Sequence, residues 1–323
     1  MPIPRRPLLG SLLAAAALAC GARRSDAEGP RRPLRLLLNW FPEMEHGGYY
    51  AALVGGHFRD AGLDVEIVPG RPDAPVLPQL ASQRADFGVA DASEVLLARA
   101  QGAPVVAVFA ALQRSPRCIL VHRAAGIHSL GDLRDLKLAV AAREPFAHFI
   151  RARFPLPGVE QVPYSGSVAP FLVDPRLAQQ AYLFSEPLVV RRRGGDAECI
   201  LVADAGFDPY TSLLVTHAER ITADPDLVAR MVTASQRGWQ DYLRDPAPAN
   251  AAIAAQNPEM DPDLLREGAA ALAPLARPDA GLPLGAMSDE RWRTLHAQLV
   301  ELGLLGEGVD PAAAFTARFI PGP

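Results

Sequence analysis

Short apolar runs, each followed by a helical pattern, recur along this chain, and that rhythm restricts the fold class to α/β. Leu34 to Asn39 reads as a buried strand, and Gly48 to Ala61 as a helix closed by Gly62. Asp64 to Val68, Ala85 to Ala90 and Val105 to Ala110 follow as strands, with helices over Val76 to Gln83 and from Ser93 to Ala100 between them. Strands without polar alternation, separated by crossover helices, predict a mostly parallel sheet covered on both faces. Such sheets take ligands at the carboxyl ends of their strands.

From Ser129 the rhythm restarts. Strands are expected at Leu138 to Ala141, Val159 to Val162, Gln180 to Ser185 and Glu198 to Val202, with helices at Pro145 to Arg153 and Pro170 to Val173. The chain beyond reads as mainly helical: Pro225 to Tyr242, Pro248 to Gln256, Pro262 to Leu272 and Asp289 to Leu302. A Pro or Asp at several starts is the usual helix punctuation. The expected organisation is two lobes, 34–123 plus 204–323 and 124–203, joined by crossings near Arg123 and Ala203. A pair of lobes on two crossings is a hinged clamp, and closure supplies the enclosure a small ligand needs for tight binding.

The N-terminus carries a different signal. Arg5 and Arg6 precede an apolar run from Leu8 to Ala19, ending at Cys20. A basic start, an apolar stretch and a small residue before the break describe an export signal over 1–19. The stretch is shorter than the ~20 residues of a membrane-spanning helix. Cys20 after Ala19 looks like a lipid-attachment cysteine, which would tether the protein to a membrane through residues 20–33. Leu18 is not the preferred residue two positions before such a cysteine, so plain cleavage stays open, and Arg5-Arg6 faintly resembles a twin-arginine signal. Removing Arg5 and Arg6 takes the net charge from −4 to −6, the opposite of the basic field that nucleic-acid binding requires. Cys118 and Cys199 fit no metal spacing. Both lie in apolar runs, which favours buried thiols; an oxidising compartment leaves a disulfide open.

Chemistry concentrates between the first strand and the first helix, in Asn39-Trp40-Phe41-Pro42-Glu43-Met44-Glu45-His46-Gly47-Gly48-Tyr49-Tyr50. Trp40, Phe41 and Tyr49 offer flat faces, and stacking favours a flat ligand by ~1 kcal/mol beyond area burial. One of Tyr49 and Tyr50 is expected to pack the helix. His46 is read as a ligand contact, the alternative being a satisfied structural histidine. Gly47 and Gly48 allow close backbone approach or a turn with positive φ.

This segment resembles the substrate-binding proteins of the thiamine-pyrimidine-precursor type, whose pattern runs Asn/Asp-Trp-x-Pro and then His-x-Gly-x-Tyr. The resemblance continues through Ala85-Asp86-Phe87-Gly88-Val89-Ala90-Asp91, Ser129-Leu130-Gly131-Asp132-Leu133, and Gln179 to Pro187. It returns at Asp208-Pro209-Tyr210-Thr211, Gly238-Trp239 and Asp245-Pro246, covering nearly all of the chain after the export signal. It implies a type II periplasmic-binding-protein fold with its site between the lobes. It also implies a solute-capturing component of a bacterial ABC importer, working with a permease and an ATPase.

That placement adds further candidates. Asp91 and Ser93 face the cleft or serve only as a helix cap. Ser115 follows a strand near the hinge. Tyr164 belongs to a second-lobe loop whose other reading is a solvated turn. Ser185 and Glu186 end an apolar strand before Pro187, and Glu186 is read as accepting hydrogen bonds from an amino-substituted ring. Its other reading is an interlobe ion pair or a surface acid. Tyr210 lies past the second crossing, where it could close over the ligand. Many relatives start the first second-lobe helix with glycines; here that start is Ala141-Ala142-Arg143-Glu144-Pro145-Phe146. The loss of a backbone anion site argues against nitrate or sulfonate, while Arg143 leaves a carboxylate or phosphate open.

The expected ligand is therefore a flat amino-bearing heterocycle. No enzyme activity, cofactor, metal or nucleic acid is expected, and the chain is expected to act as a monomer. Two rivals share the fold. One is a pyrimidine synthase that acts on its own histidine with iron; it carries a cysteine-rich motif, whereas residues 180–205 here hold just Cys199. The other is a lipid-anchored sensory or scaffold subunit.

Overall fold

The computed structural model describes residues 32–71 and 75–322. The export-signal reading, Cys20 and the tether up to residue 31 lie outside them.

Among the described residues ten strands form two five-stranded sheets. The first begins with β1 (Leu34–Leu37), followed by α1 (Gly47–Val54), α2 (His57–Asp60) and β2 (Val65–Val68). It continues with α3 (Val76–Ala81), β3 (Phe87–Ala90), α4 (Ala92–Ala100) and β4 (Val105–Leu112). β1 pairs in parallel with β2 and β3. The expected single helix over 48–61 is broken where Gly56 takes φ +79°, a left-handed angle that ends α1 and starts α2.

The second sheet holds β5 (Arg117–His122), β6 (Lys137–Val140), β7 (Glu160–Pro163), β8 (Leu177–Tyr182) and β9 (Ala197–Leu201). α5 (Pro145–Arg153), α6 (Ala169–Val173) and α7 (Glu186–Arg192) lie between them in sequence. β6 is parallel to β7 and β8, whereas β5 is antiparallel to β8 and β9. The pairing of β5 corrects the first crossing: the chain passes between sheets at 113–116, upstream of Arg123. Ser185, expected at a strand end, instead lies in the turn before α7.

Past the second sheet the chain returns to the first as β10 (Thr211–His217), which inserts between β3 and β4, antiparallel to both. A segment to which the sequence pattern assigned no element, ahead of the first expected C-terminal helix at Pro225, thus supplies a central strand. Helices α8 (Ala218–Ala223), α9 (Pro225–Arg244), α10 (Ala247–Gln256), α11 (Pro262–Ala276) and α12 (Asp289–Glu301) follow. β4 is last in the strand order, yet all its residues are buried. Bridges from Ala107 to Phe315 and from Ala110 to Gly285 cover that open edge.

α9 positions the site. Asp224 caps it by accepting from Leu227 N, Pro225 opens it, and Met231, Val232, Ser235, Trp239 and Tyr242 form its buried stripe at helical spacing. α1 lies across this stripe at glycine distance. A Cβ on Gly47 would stand 2.1 Å from the Tyr242 ring, and one on Gly48 2.1 Å from the Trp239 ring. Gly238 returns the contact, since its Cβ would meet Gly48 O at 2.2 Å. Gly47 has φ −54°. The Gly-Gly pair therefore serves helix packing; it makes no positive-φ turn and offers no backbone to a ligand.

Candidate functional site

Between the carboxyl ends of the two sheets lies a cavity of about 490 Å³, within the range of small-molecule sites. Its first wall comes from the loop after β1 and from the β3–α4 junction. Asn39, Trp40, Glu43, Glu45, Asp91 and Glu94 line it. The second wall comes from four separate segments and carries Arg117, Glu144, Tyr164, Gln180, Tyr182, Ser185 and Glu186.

A 3₁₀ turn at Met44–His46 aims the first wall. Glu43 caps the turn, and its backbone N–H donates to His46 Nδ1 at 3.4 Å. That contact leaves the ring proton on Nε2, which lies 2.9 Å from Asn39 Oδ1 and 3.0 Å from Glu45 Oε1. His46 is fully buried and off the cavity. The contact expected of it is corrected: it orients Asn39 and Glu45, which do line the cavity. Ser212 performs a similar task from β10. Its N–H donates to Asp91 Oδ1 at 3.1 Å and its hydroxyl to Glu45 Oε2 at 3.4 Å. To do so it holds φ +54°, a left-handed angle that costs a non-glycine residue ~1 kcal/mol or more.

This wall concentrates acid where water is scarce. Burial pushes the Glu43 carboxyl well above its usual range, with Glu45 and Glu186 adding to the effect and the Ser185 hydroxyl opposing it. Burial likewise pushes Asp91 up to about 6, against the pull of Arg117.

In the second wall the partners are donors. Arg117 enters at the start of β5, its guanidinium 4.4 Å from the Tyr182 ring centroid and 4.9 Å from that of Phe146. Burial opposes its charge, but Tyr182, Asp91, Glu144 and Glu186 outweigh burial and hold the group above its ordinary range. Glu186 is occupied on both oxygens: Oε1 accepts from the Tyr164 hydroxyl and Oε2 from Tyr182 N, each at 2.8 Å. It is therefore neither an interlobe ion pair nor a surface acid; it ties the loop after β7 to the end of β8 within its own wall. Two hydrogen bonds cross between the walls. The Ser185 hydroxyl donates to Glu43 Oε2 at 3.1 Å, and the Tyr182 hydroxyl lies 3.4 Å from Asp91 Oδ2.

Of the residues expected here, Asn39, Trp40, Asp91, Tyr164, Ser185 and Glu186 meet at the cavity. The others do not. Phe41 stands outside, exposed, with its ring edge-on to Trp40 at 5.6 Å. Tyr49 is core, edge-on to Trp239, and its hydroxyl donates to Ser212 O. Tyr50 is buried as well. Asp91, not Ser93, caps α4, and Ser93 is buried within the first turn. Ser115 is buried at the passage between sheets, where its N–H donates to Asp208 Oδ1. Tyr210 is buried beneath Arg291, and its hydroxyl accepts from Ser288 N. Arg143 is exposed and does not line the cavity.

Glu43, Glu45, Glu94, Arg117, Gln180 and Tyr182 were not expected as site residues, although Gln180 and Tyr182 lie in the segment from Gln179 to Pro187 that carries the family resemblance. The acids adjoin residues that the sequence singles out. For Arg117 the only signal was a charge at the start of an apolar run. Cys118 and Cys199 are free thiols, and burial pushes Cys118 up. Among the described residues no group of His, Cys, Asp and Glu could hold a metal, and no helix is long and apolar enough to cross a membrane.

Comparison with known proteins bears on this site. The family described as NMT1/THI5 like matches residues 43–249. The riboflavin-binding protein RibY of Chloroflexus aurantiacus is 26% identical over 95% of this chain and 91% of its own length. The formylaminopyrimidine-binding protein of Halalkalibacterium halodurans is 24% identical over 96% of this chain and 98% of its own. In structure, the alkanesulfonate-binding protein SsuA from Xanthomonas axonopodis pv. citri, solved bound to MOPS, superposes with a TM-score of 0.66 at 17% identity. That superposition covers 90% of this chain and 100% of the other. The likeness shows that the two-sheet architecture is that of the periplasmic-binding-protein fold.

Proposed function

Starting from the fact that the chain belongs to the NMT1/THI5-like family, we propose that it is the solute-binding component of a bacterial ABC importer and holds a flat amino-bearing heterocycle in its cavity. The observation that carries this reading is the first wall, where Trp40 stands beside Asn39, Glu43 and Glu45. An indole face suits a flat ring, and carboxylates suit the N–H groups of a ring-bound amine. The two relatives matched along nearly their whole length are named for a flavin and an aminopyrimidine. The acid wall disfavours a sulfonate, whose charge would meet Glu45 and Asp91.

Binding without turnover fits the chemistry of the lining. Among the described residues none that lines the cavity is His, Cys or Lys. In this reading the chain is exported, acts as a monomer outside the cytoplasm, delivers to a permease and its ATPase, and is tethered through Cys20 when lipidated.

Calorimetry against aminopyrimidines, riboflavin, alkyl sulfonates and amino acids tests the proposal, together with mass spectrometry of whatever co-purifies. A ring compound should bind tightest, and a clear preference for an alkyl sulfonate overturns the reading. Trp40→Ala should weaken ring binding by about 1 kcal/mol, roughly fivefold, while the melting temperature of the free protein hardly moves. A collapsed fold would mean that Trp40 is core.

A further inference from the structure

The two walls offer opposite hydrogen-bonding chemistry, and the second has donors left over. Gln180 lies on β8 and lines the cavity at 7% exposure. Its Oε1 accepts from Ala141 N at 2.6 Å, which fixes the amide the other way round and leaves the nitrogen without a partner among the described residues. An amide N–H₂ at a cavity wall is served by water until an occupant displaces that water, and an occupant that brings no acceptor leaves it unpaired, so the group fits a ligand that supplies one. Arg117 repeats the pattern. Its guanidinium makes one side-chain hydrogen bond, from Nη2 to the Tyr182 hydroxyl at 3.2 Å, and Nη2 approaches Asp91 Oδ2 only to 4.0 Å. The Phe146 and Tyr182 rings hold it in place, so its remaining N–H groups are pre-oriented and unspent. Of the acids around it, Glu186 is committed to Tyr164 and Tyr182, while Asp91 and Glu144 act on it through charge and neither accepts a hydrogen bond from it among the described residues.

Resting on the reading of the cavity as a ring-binding site, we infer that the ligand bears a carbonyl-type acceptor at a ring position separate from its amino group, and that Arg117 and Gln180 read it. The first wall takes the amino N–H groups and the second the C=O. A ring with amino groups alone leaves the second-wall donors unpaired, and a site built to hydrogen-bond a group discriminates strongly against analogues lacking it.

Two probes separate these groups: cytosine carries an amino group and a ring carbonyl, and 4-amino-2-methylpyrimidine carries the amino group alone. The wild type should bind cytosine at least about 10-fold more tightly. Arg117→Gln should weaken cytosine binding about 10-fold or more and change the aminopyrimidine less than about 2-fold. Gln180→Glu keeps the acceptor for Ala141 N and replaces the free donor with an acceptor, so it should give the same selective loss. If Arg117→Gln does not fold by thermal melting, Gln180→Glu decides the matter. Equal affinity of the wild type for the two rings, or equal losses for both in the variants, overturns this inference and leaves the ring-binding proposal standing. Binding of ethanesulfonate with neither ring bound overturns both.

Discussion

The first wall of the cavity is contributed largely by one stretch of chain, residues 39–45, while the second gathers side chains from β5, β8 and the loops after β6 and β7. They are also stabilised differently. The first wall crowds Glu43, Glu45 and Asp91 together, and the strained Ser212, the buried His46 and a glycine-lined helix contact hold them there. The second is internally satisfied around Glu186 and keeps Arg117 and Gln180 in reserve. A binding wall that costs folding energy can recover it from its ligand. A wall whose own bonds are already made contributes selectivity instead.

The largest effect expected from this contrast lies behind the first wall. Gly48→Ala drives a methyl into the Trp239 ring, which is fully buried with nowhere to go. It should cost about 3 kcal/mol in urea unfolding, the upper range for overpacking. The counterpart in the second wall is Gly166, which lines the cavity at φ +74° and where an added Cβ would meet no atom within 4 Å. Gly166→Ala should therefore cost only the left-handed penalty, ~1 kcal/mol. Similar losses at the two sites would show that the walls are equally rigid, and the contrast would fail.

Proton linkage gives the next effect. Free aspartate ionises near 3.8 and Asp91 near 6. Between those values the folded protein keeps a proton that the unfolded chain has lost. More protons on the folded side mean that stability falls as pH rises through this window. A rise of about two pH units in one carboxyl corresponds to at most about 3 kcal/mol. Urea titrations of the ligand-free protein should show the wild type losing up to about 2 kcal/mol relative to Asp91→Asn between pH ~4 and ~7. Glu43 acts in the same direction, since its carboxyl is also raised by burial. Parallel pH profiles for the two proteins would mean that the first wall carries no electrostatic strain.

The same contrast explains what could be read from the residue order alone. Short buried strands and helix punctuation are local properties, so the two-sheet architecture was legible, and Asn39 and Trp40 follow directly on β1. The sequence could not show which way the next residues turn. His46 and Tyr49 look like ligand contacts beside Gly-Gly, but docking of α1 on α9 turns them, with Tyr50, inward. Tyr210 is drawn into the core by a partner distant in sequence, Ser288, and its carbonyl accepts from Ala92 N beside the buried Ser93. β10 was missed because its place depends on pairing with strands about a hundred residues or more earlier. Arg117 became visible as a site residue only through the β5–β8 ladder, which sets it opposite Tyr182.

Tyr182→Phe offers the finest test of how the walls meet. The hydroxyl accepts from Arg117 Nη2 and reaches toward Asp91 on the other wall. Phenylalanine keeps the ring beneath the guanidinium and its edge against Phe184, so packing is conserved and only the polar link is lost. Arg117 already stands 4.0 Å from Asp91, and a small side-chain shift would join them directly. The net cost should be about 0.5–1 kcal/mol, a two- to fivefold loss of ring affinity, with the preference for cytosine over the plain aminopyrimidine retained. Loss of that preference would mean that the Tyr182 hydroxyl, rather than Arg117 itself, supplies the donor edge, and the division of labour between the walls would have to be redrawn around it.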